Sequence, residues 1–385
     1  MTEAVDVQRT TVNLLRLLNI YLAGAWGYCI GIRDAEWMVM KRTFNRWLAL
    51  SSVAALIVVS GCSNPAADNS TEPASPATTP KAAAPTMKLT LAEPAEPASA
   101  KPSSAPKKAY VIGVSLLTQD DDFYKALKAR LEEQGQKQHV NVEILSGDKD
   151  LNKQVNQVQN FIAKKVDAII LCPVDSTGII AAVTAANQAN IPVFTADIAS
   201  KGGKVVSHVA SDNVAGGALA GEFAGKILQG KGNVAILDLL TVTSVQDRVK
   251  GFKTALAKYP GIKIVADENV PDAKREEAVT KATNVLTAHP EINLIFGIND
   301  NVALGTLSAL KSANKNEIFV VGFDAGPEAQ NYISSGTSSL TADAIQFPHL
   351  IGMTTIDAVI RSLNGEAVPA TIAVPTGIVT KESFK

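Results

Sequence analysis

The stretch Asn187-Gln-Ala-Asn-Ile-Pro-Val-Phe-Thr-Ala-Asp197, followed after a short loop by Val205-Val-Ser-His-Val-Ala-Ser-Asp-Asn-Val-Ala-Gly-Gly217, decides the fold. A helix end delivers the backbone into an apolar strand, Val193 to Ala196, and the strand stops on a carboxylate. A second strand ends on Ser211, Asp212 and Asn213, and small residues then start a new helix. In open parallel sheets, ligands bind outside the carboxyl ends of the strands. Polar side chains at the ends of two successive apolar strands therefore predict a ligand cleft.

Working outward, apolar runs bounded by turn residues recur at Tyr110–Leu117, Val140–Leu145, Ala168–Cys172, Pro192–Asp197, Val205–Ala210, Val234–Leu239, Ile262–Ala266, Leu294–Ile298, Ile318–Phe323 and Leu340–Ile345. Segments of helical period lie between them, among them Phe123–Gln138, Asn152–Lys164, Ser176–Gln188 and Ala278–Ala288. Strand and helix alternation implies βαβ units and mainly parallel sheets. So many strands exceed one compact core, and two lobes with a cleft between them are expected.

Composition sets the broad class. The chain has 385 residues, 46% of them hydrophobic, 5% aromatic and 19% charged, a globular α/β balance rather than that of a multi-span membrane protein. A net charge of −1 offers no basic field for nucleic acid. Cys29, Cys62 and Cys172 show no CxxC or Cys/His spacing, which argues against a zinc site or a disulfide framework. No metal or cofactor is expected.

The N-terminal part reads as an address. From Met40, Lys41, Arg42 and Arg46 precede a short apolar stretch from Trp47 to Val59, and Ser60-Gly61-Cys62 follows. A basic segment, a short apolar stretch and small residues make a secretory signal over residues 40–61. Val59-Ser-Gly-Cys62 looks like a lipobox, in which Cys62 is lipidated and becomes the mature N-terminus. Residues 1–39 read as an upstream extension ahead of a start at Met38 or Met40. Residues 62–107, rich in Ala, Pro, Ser and Thr, read as a disordered tether, since they have little apolar surface to offset ordering entropy.

The strand-end pattern resembles the periplasmic sugar-binding proteins of bacterial ABC transporters, the ribose-binding branch in particular. The resemblance covers Tyr110 to Lys385. It implies an α/β fold of two doubly wound parallel-sheet lobes joined by a three-strand hinge, the type I periplasmic binding protein. Crossings are expected near Ser211–Asn213, Ala344–Gln346 and Val374–Pro375. This puts residues 108–211 and 346–374 in the N-terminal lobe, and 212–345 and 375–385 in the C-terminal lobe.

The resemblance also names a site. Ser115 ends the first strand, and the polar loop after it leads to Asp121, Phe123 and Tyr124. The two aromatics are the expected sugar stackers, and Asp121 or a neighbouring carboxylate the acceptor of a sugar hydroxyl. An alternative reading makes Asp121 a helix cap with Phe123 in the core. Asp197 matches an Asp that accepts from two sugar hydroxyls, and Asn213 stands at the first crossing. On the second lobe Arg248, Asn299 and Asp324 match family site residues, and Gln346 lies at a crossing. Three departures stand out: Ile198 replaces Arg, Cys172 replaces Asn, and Ala273 replaces a stacking Phe. They make plain ribose specificity doubtful.

The implied function is that of a lipid-anchored, extracytoplasmic, monomeric receptor that captures a sugar and hands it to an ABC permease. A sensory receptor of the same fold, feeding a chemoreceptor or sensor kinase, is the alternative. A repressor of this fold would need a basic helix-turn-helix where the Pro-rich tether stands. An enzyme is not expected: no GxGxxG, GxSxG or P-loop is present, and His139, His208, His289 and His349 do not fall at strand-end site positions.

Overall fold

The computed structural model describes residues 89–385. The address segment, Cys62 and the tether up to residue 88 lie outside the described residues.

Two six-stranded sheets form the two lobes. In the first, β1 (Val111–Leu116), β2 (Asn141–Ser146), β3 (Ala168–Leu171), β4 (Val193–Ala196), β5 (Val205–Ser211) and β11 (Thr371–Val374) run in the order β11-β5-β4-β3-β1-β2, every pairing parallel. In the second, β6 (Lys231–Asp238), β7 (Gly261–Asn269), β8 (Leu294–Gly297), β9 (Phe319–Asp324), β10 (Leu340–Ile345) and β12 (Gly377–Thr380) run β12-β10-β9-β8-β6-β7, with only β12 antiparallel. Strands such as β3, β4 and β8 are buried along their whole length, as expected for sheets covered on both faces.

The covering helices are α1 (Asp122–Lys137), α2 (Leu151–Lys164), α3 (Ile180–Gln188), α4 (Asn213–Ile227), α5 (Thr243–Leu256), α6 (Arg275–Ala288), α7 (Asp300–Ser312), α8 (Pro327–Ser335) and α9 (Pro348–Leu363). Several begin on a side-chain cap from the preceding strand end: Asp121 for α1, Asp212 for α4 and Asn299 for α7. The predicted helix over 176–188 starts only at Ile180. Asp175 folds back on the amides of Thr177 and Gly178, which uses up the first turn.

The chain passes between lobes after β5, where α4 packs against β9, β10 and β12, and after β10, where α9 packs against α1, β4 and β5. It passes again between β11 and β12, on either side of Pro375. These last two strands were not among the predicted runs: each has four residues, flanks a proline and alternates or mixes burial.

Residues 89–107 do not behave as the tether predicted for them. Leu89 bridges Phe384, and the amide of Thr90 donates to the Ser383 carbonyl at 2.8 Å. Glu93 pairs with His349 at the start of α9. Ala100, in a short 3-10 turn, is fully buried. Arg361 donates to the carbonyls of Ser99 and Lys101, and the Asn364 amide donates to those of Ser104 and Ala105. Composition misleads here because the ordering partners lie more than 250 residues away in sequence.

A chain beginning at residue 108 therefore loses these contacts. Taking about 2–3 kcal/mol of lost packing and hydrogen bonding, it is expected to melt roughly 4–8 °C below a chain beginning at 89. Calorimetry on the two lengths checks this, and equal melting temperatures would show the segment to be energetically idle.

Candidate ligand-binding site

Between the lobes lies a cavity of about 280 Å³. Its walls come from the loops after β1, β2, β3 and β4 on one side and after β6, β7, β8, β9 and β10 on the other. Asp121, Phe123, Tyr124, Asp197, Arg248, Asn299, Asp324 and Gln346 all line it.

On the first lobe, the Tyr124 hydroxyl donates to Asp197 Oδ2 at 2.6 Å. The other carboxylate oxygen, Oδ1, is buried and has no partner among the described residues. Asp197 sits at φ 63°, a left-handed conformation that Asp tolerates better than most residues. That backbone turn carries its side chain off the end of β4. Burial pushes its carboxyl up to about 6, against the opposing pull of Arg248 and the Tyr124 hydrogen bond. Asp121 uses Oδ1 to cap α1 at the Tyr124 amide, so the alternative cap reading holds for it while it also lines the cavity. Phe123 is only partly buried and meets Tyr124 edge-on, with centroids 5.2 Å apart.

On the second lobe, Arg248 is the fixed point. Its Nε donates to Asn213 Oδ1 at 2.8 Å, and its Nη1 to the Ile298 carbonyl at 2.9 Å and to Asp324 Oδ1 at 3.4 Å. The guanidinium lies 4.0 Å from the centre of the Phe323 ring. Gln346 Nε2 donates to Asp324 Oδ1 at 2.7 Å, and Gln346 Oε1 is buried without a partner among the described residues. Asp324 has φ 111° and Ala325 φ 51°, strain of a kind that clusters at functional sites. Burial, with the nearby Asp300 charge, raises the Asp324 carboxyl in spite of Arg248. The contact to Arg248 is long, and that guanidinium is shared with two other acceptors.

Two predicted site residues are corrected. Ser115 is fully buried away from the cavity, its hydroxyl donating to Gln157 Oε1 on α2 at 2.6 Å. Asn213 holds Arg248 with its oxygen and the Ser211 carbonyl with its amide, so it supports the wall instead of forming it. Cys172 also lies beneath the wall, whereas Ile198 and Ala273 are part of it. Lys149, in the loop after β2, lines the cavity and donates to the Asp272 carbonyl on the other lobe. The strand-end rule applied to Val140–Leu145 would have found that loop.

The lobes also meet directly. The Ser176 amide donates to the Thr241 carbonyl at 3.1 Å, the Thr243 amide to Ser176 Oγ at 3.1 Å, and the Ala199 amide to Thr243 Oγ1 at 3.0 Å. The cleft is closed in this structure. Its buried carboxyl, amide and guanidinium groups can bind a small polyhydroxylated molecule by hydrogen bonds. Among the described residues no cluster of His, Cys, Asp or Glu is placed to hold a metal ion, and no helix is long and apolar enough to cross a membrane.

The sequence signature of the periplasmic binding protein domain matches residues 112–367. The chain belongs to that family. Its fold is the type I arrangement expected from the sequence, and members of the family are solute-binding proteins, not enzymes. Over 272 residues it is 33% identical to the ribose import binding protein of Escherichia coli (strain K12), covering 70% of this chain and 90% of the relative. Identity to the ribose import binding protein of Bacillus subtilis (strain 168) is 35% over 288 residues, covering 74% and 92%. A crystal structure of an ABC transporter periplasmic solute binding protein from Actinobacillus succinogenes with bound D-allose superposes with a TM-score of 0.66. At 30% identity, that match covers 71% of this chain and 98% of the other.

The buried and half-buried carboxyls of the cleft, with Asp357 of α9 outside it, give the protein a pH signature. Asp197, raised to about 6, and Asp300, Asp324, Asp343 and Asp357, also raised by burial, take up protons in the folded state before the unfolded chain does. Stability from these groups is fully present at low pH and is lost as pH rises through their folded values. His208, lowered by burial to about 4, acts in the opposite sense as pH falls below about 6.5. The sugar-free protein is thus expected to melt higher at about pH 5.5 than at about pH 7.5, and Asp197→Asn to melt higher than wild type at neutral pH with a shallower dependence. Melting curves across that range test it; a wild type that loses stability steadily below about pH 7.5 would contradict it.

Proposed function

We propose that this protein captures a monosaccharide or related polyol in the interlobe cleft and delivers it to the permease of an ABC transporter, held at an extracytoplasmic membrane face by a lipid on Cys62. The observation that carries the reading is the unpartnered, buried Asp197 Oδ1 on one lobe, in the same cavity as the Arg248, Asp324 and Gln346 group on the other. A buried acceptor without a donor is costly, and a ligand hydroxyl relieves that cost only when both lobes close on it. Phe123 and Tyr124 offer ring faces and edges to the C–H side of a sugar. The cavity, about 280 Å³, lies just below the roughly 300–1,000 Å³ range of ligand pockets, which suits one sugar ring rather than an oligosaccharide.

The relatives named for ribose and the structure holding D-allose support a sugar of this size. Ile198 and Ala273 in the wall remove the guanidinium and the aromatic that the ribose pattern carries there, so a monosaccharide or polyol other than ribose is the expected tightest ligand.

A calorimetric screen of pentoses, hexoses and polyols tests the reading. One compound is expected to bind, and Asp197→Ala and Asp324→Ala should each weaken it by about 10–100-fold. Binding that neither substitution touches would sink the site assignment. For the anchor, Cys62→Ser is expected to move the protein from the detergent phase to the aqueous phase; identical partitioning of both forms would refute lipidation at Cys62.

A further inference from the structure

Beneath the turn that carries Asp324, two more carboxyls meet. Asp300 opens α7, and Asp343 lies within β10, fully buried. Asp300 Oδ2 accepts from the Gly326 amide at 2.8 Å, and Asp343 Oδ1 accepts from the Ala325 amide at 3.2 Å. The remaining oxygens, Asp300 Oδ1 and Asp343 Oδ2, are buried with no hydrogen-bond partner among the described residues, while the two carboxyls hold successive amides of one turn. Two carboxyls gathered on successive amides, each with a buried oxygen that no donor reaches, cannot both stay ionised, so one of them is kept as the acid. The charges around the pair reinforce this. Asp324 and Glu328 are acidic, and Arg248 acts on Asp324. The neighbouring strand makes room for the pair: at Gly322 in β9 a Cβ would stand 2.7 Å from Asp343 Oδ2.

Above the pair, Asp324 and Ala325 both hold positive φ, and the amides of Ala325 and Gly326 find their acceptors in these two side chains. We propose that Asp300 and Asp343 share a single proton at neutral pH and act as positioning residues, pinning the Asp324–Gly326 turn so that Asp324 meets Gln346, Arg248 and the ligand. The pair touches no ligand itself. The proposal rests on the reading of Asp324 as a ligand-binding group.

Asp343→Asn keeps an acceptor for Ala325 and supplies a permanent donor to Asp300, whereas Asp343→Ala supplies neither. In the full chain, the infrared difference between wild type and Asp343→Asn at neutral pH should show a protonated carboxyl present only in wild type. The sugar-free wild type should lose melting temperature as pH is raised from about 7 to about 9.5, and Asp343→Asn should be flatter over that range. With D-allose and D-ribose as probes, the affinity of Asp343→Asn should stay within about threefold of wild type but lack its alkaline decline, and Asp343→Ala should bind roughly tenfold or more weakly. A wild type without the carboxyl band, or an Asp343→Ala protein that matches wild type in melting and binding, would overturn the proposal. So would an Asp343→Asn protein as impaired as Asp343→Ala. Should neither sugar bind any variant, the ligand reading is decided by the wider screen of pentoses, hexoses and polyols, and the infrared and melting data decide the proton-sharing pair.

Discussion

The guanidinium of Arg248 is the interaction on which the rest of the cleft depends. It is bound at once to the first interlobe crossing through Asn213, to the end of β8 through the Ile298 carbonyl, and to the end of β9 through Asp324. A planar fork with donors in fixed directions can do this; a lysine cannot. Its placement rests on small residues. At Gly217 in α4 a Cβ would lie 2.0 Å from the Arg248 carbonyl oxygen, and at Gly251 in α5 it would lie 2.1 Å from that of Val214. The two helices touch backbone to backbone, and only that approach lets an α5 side chain reach the first residue of α4.

The site holds several groups at a cost to the fold. Asp197 is a buried and Asp324 a half-buried carboxyl, both on positive-φ backbone, and Asp197 Oδ1 and Gln346 Oε1 lack partners among the described residues. Each is a place where local rules are broken, which is where function is expected to reside. The lobes also hold each other directly through Ser176, Ala199, Thr241 and Thr243. Closure is thus favoured by a few interlobe hydrogen bonds and opposed by desolvation of the acidic wall. A ligand that satisfies the wall shifts that balance by its differential affinity for the closed form.

Much of this was legible in the chain because strand ends are conspicuous. An apolar run that stops on Asp197, Asn299 or Asp324 announces both its register and the cleft, and every predicted strand corresponds to one in the sheets. What the sequence concealed was direction. Ser115 stands on a strand whose alternate side chains face opposite ways, and its side falls under α2. The bond of Asn213 to Arg248 depends on the meeting of α4 and α5, which no local stretch of sequence announces. Asp343 looked like one more residue of a strand, since nothing local says that Asp300 lies against it.

The packed segment before β1 has a geometric consequence. Leu89 and Thr90 pair with Phe384 and Ser383, so the two ends of the folded body lie side by side. A short Gly/Ser linker from Lys385 back to Leu89 would close the polypeptide into a ring with little loop entropy to overcome. New ends could then be opened at an exposed turn such as Gly365, where φ is 85° and a Cβ would meet nothing within 4 Å. The molecule is thereby suited to circular permutation, with a reporter carried at a surface turn while both lobes and their crossings stay intact.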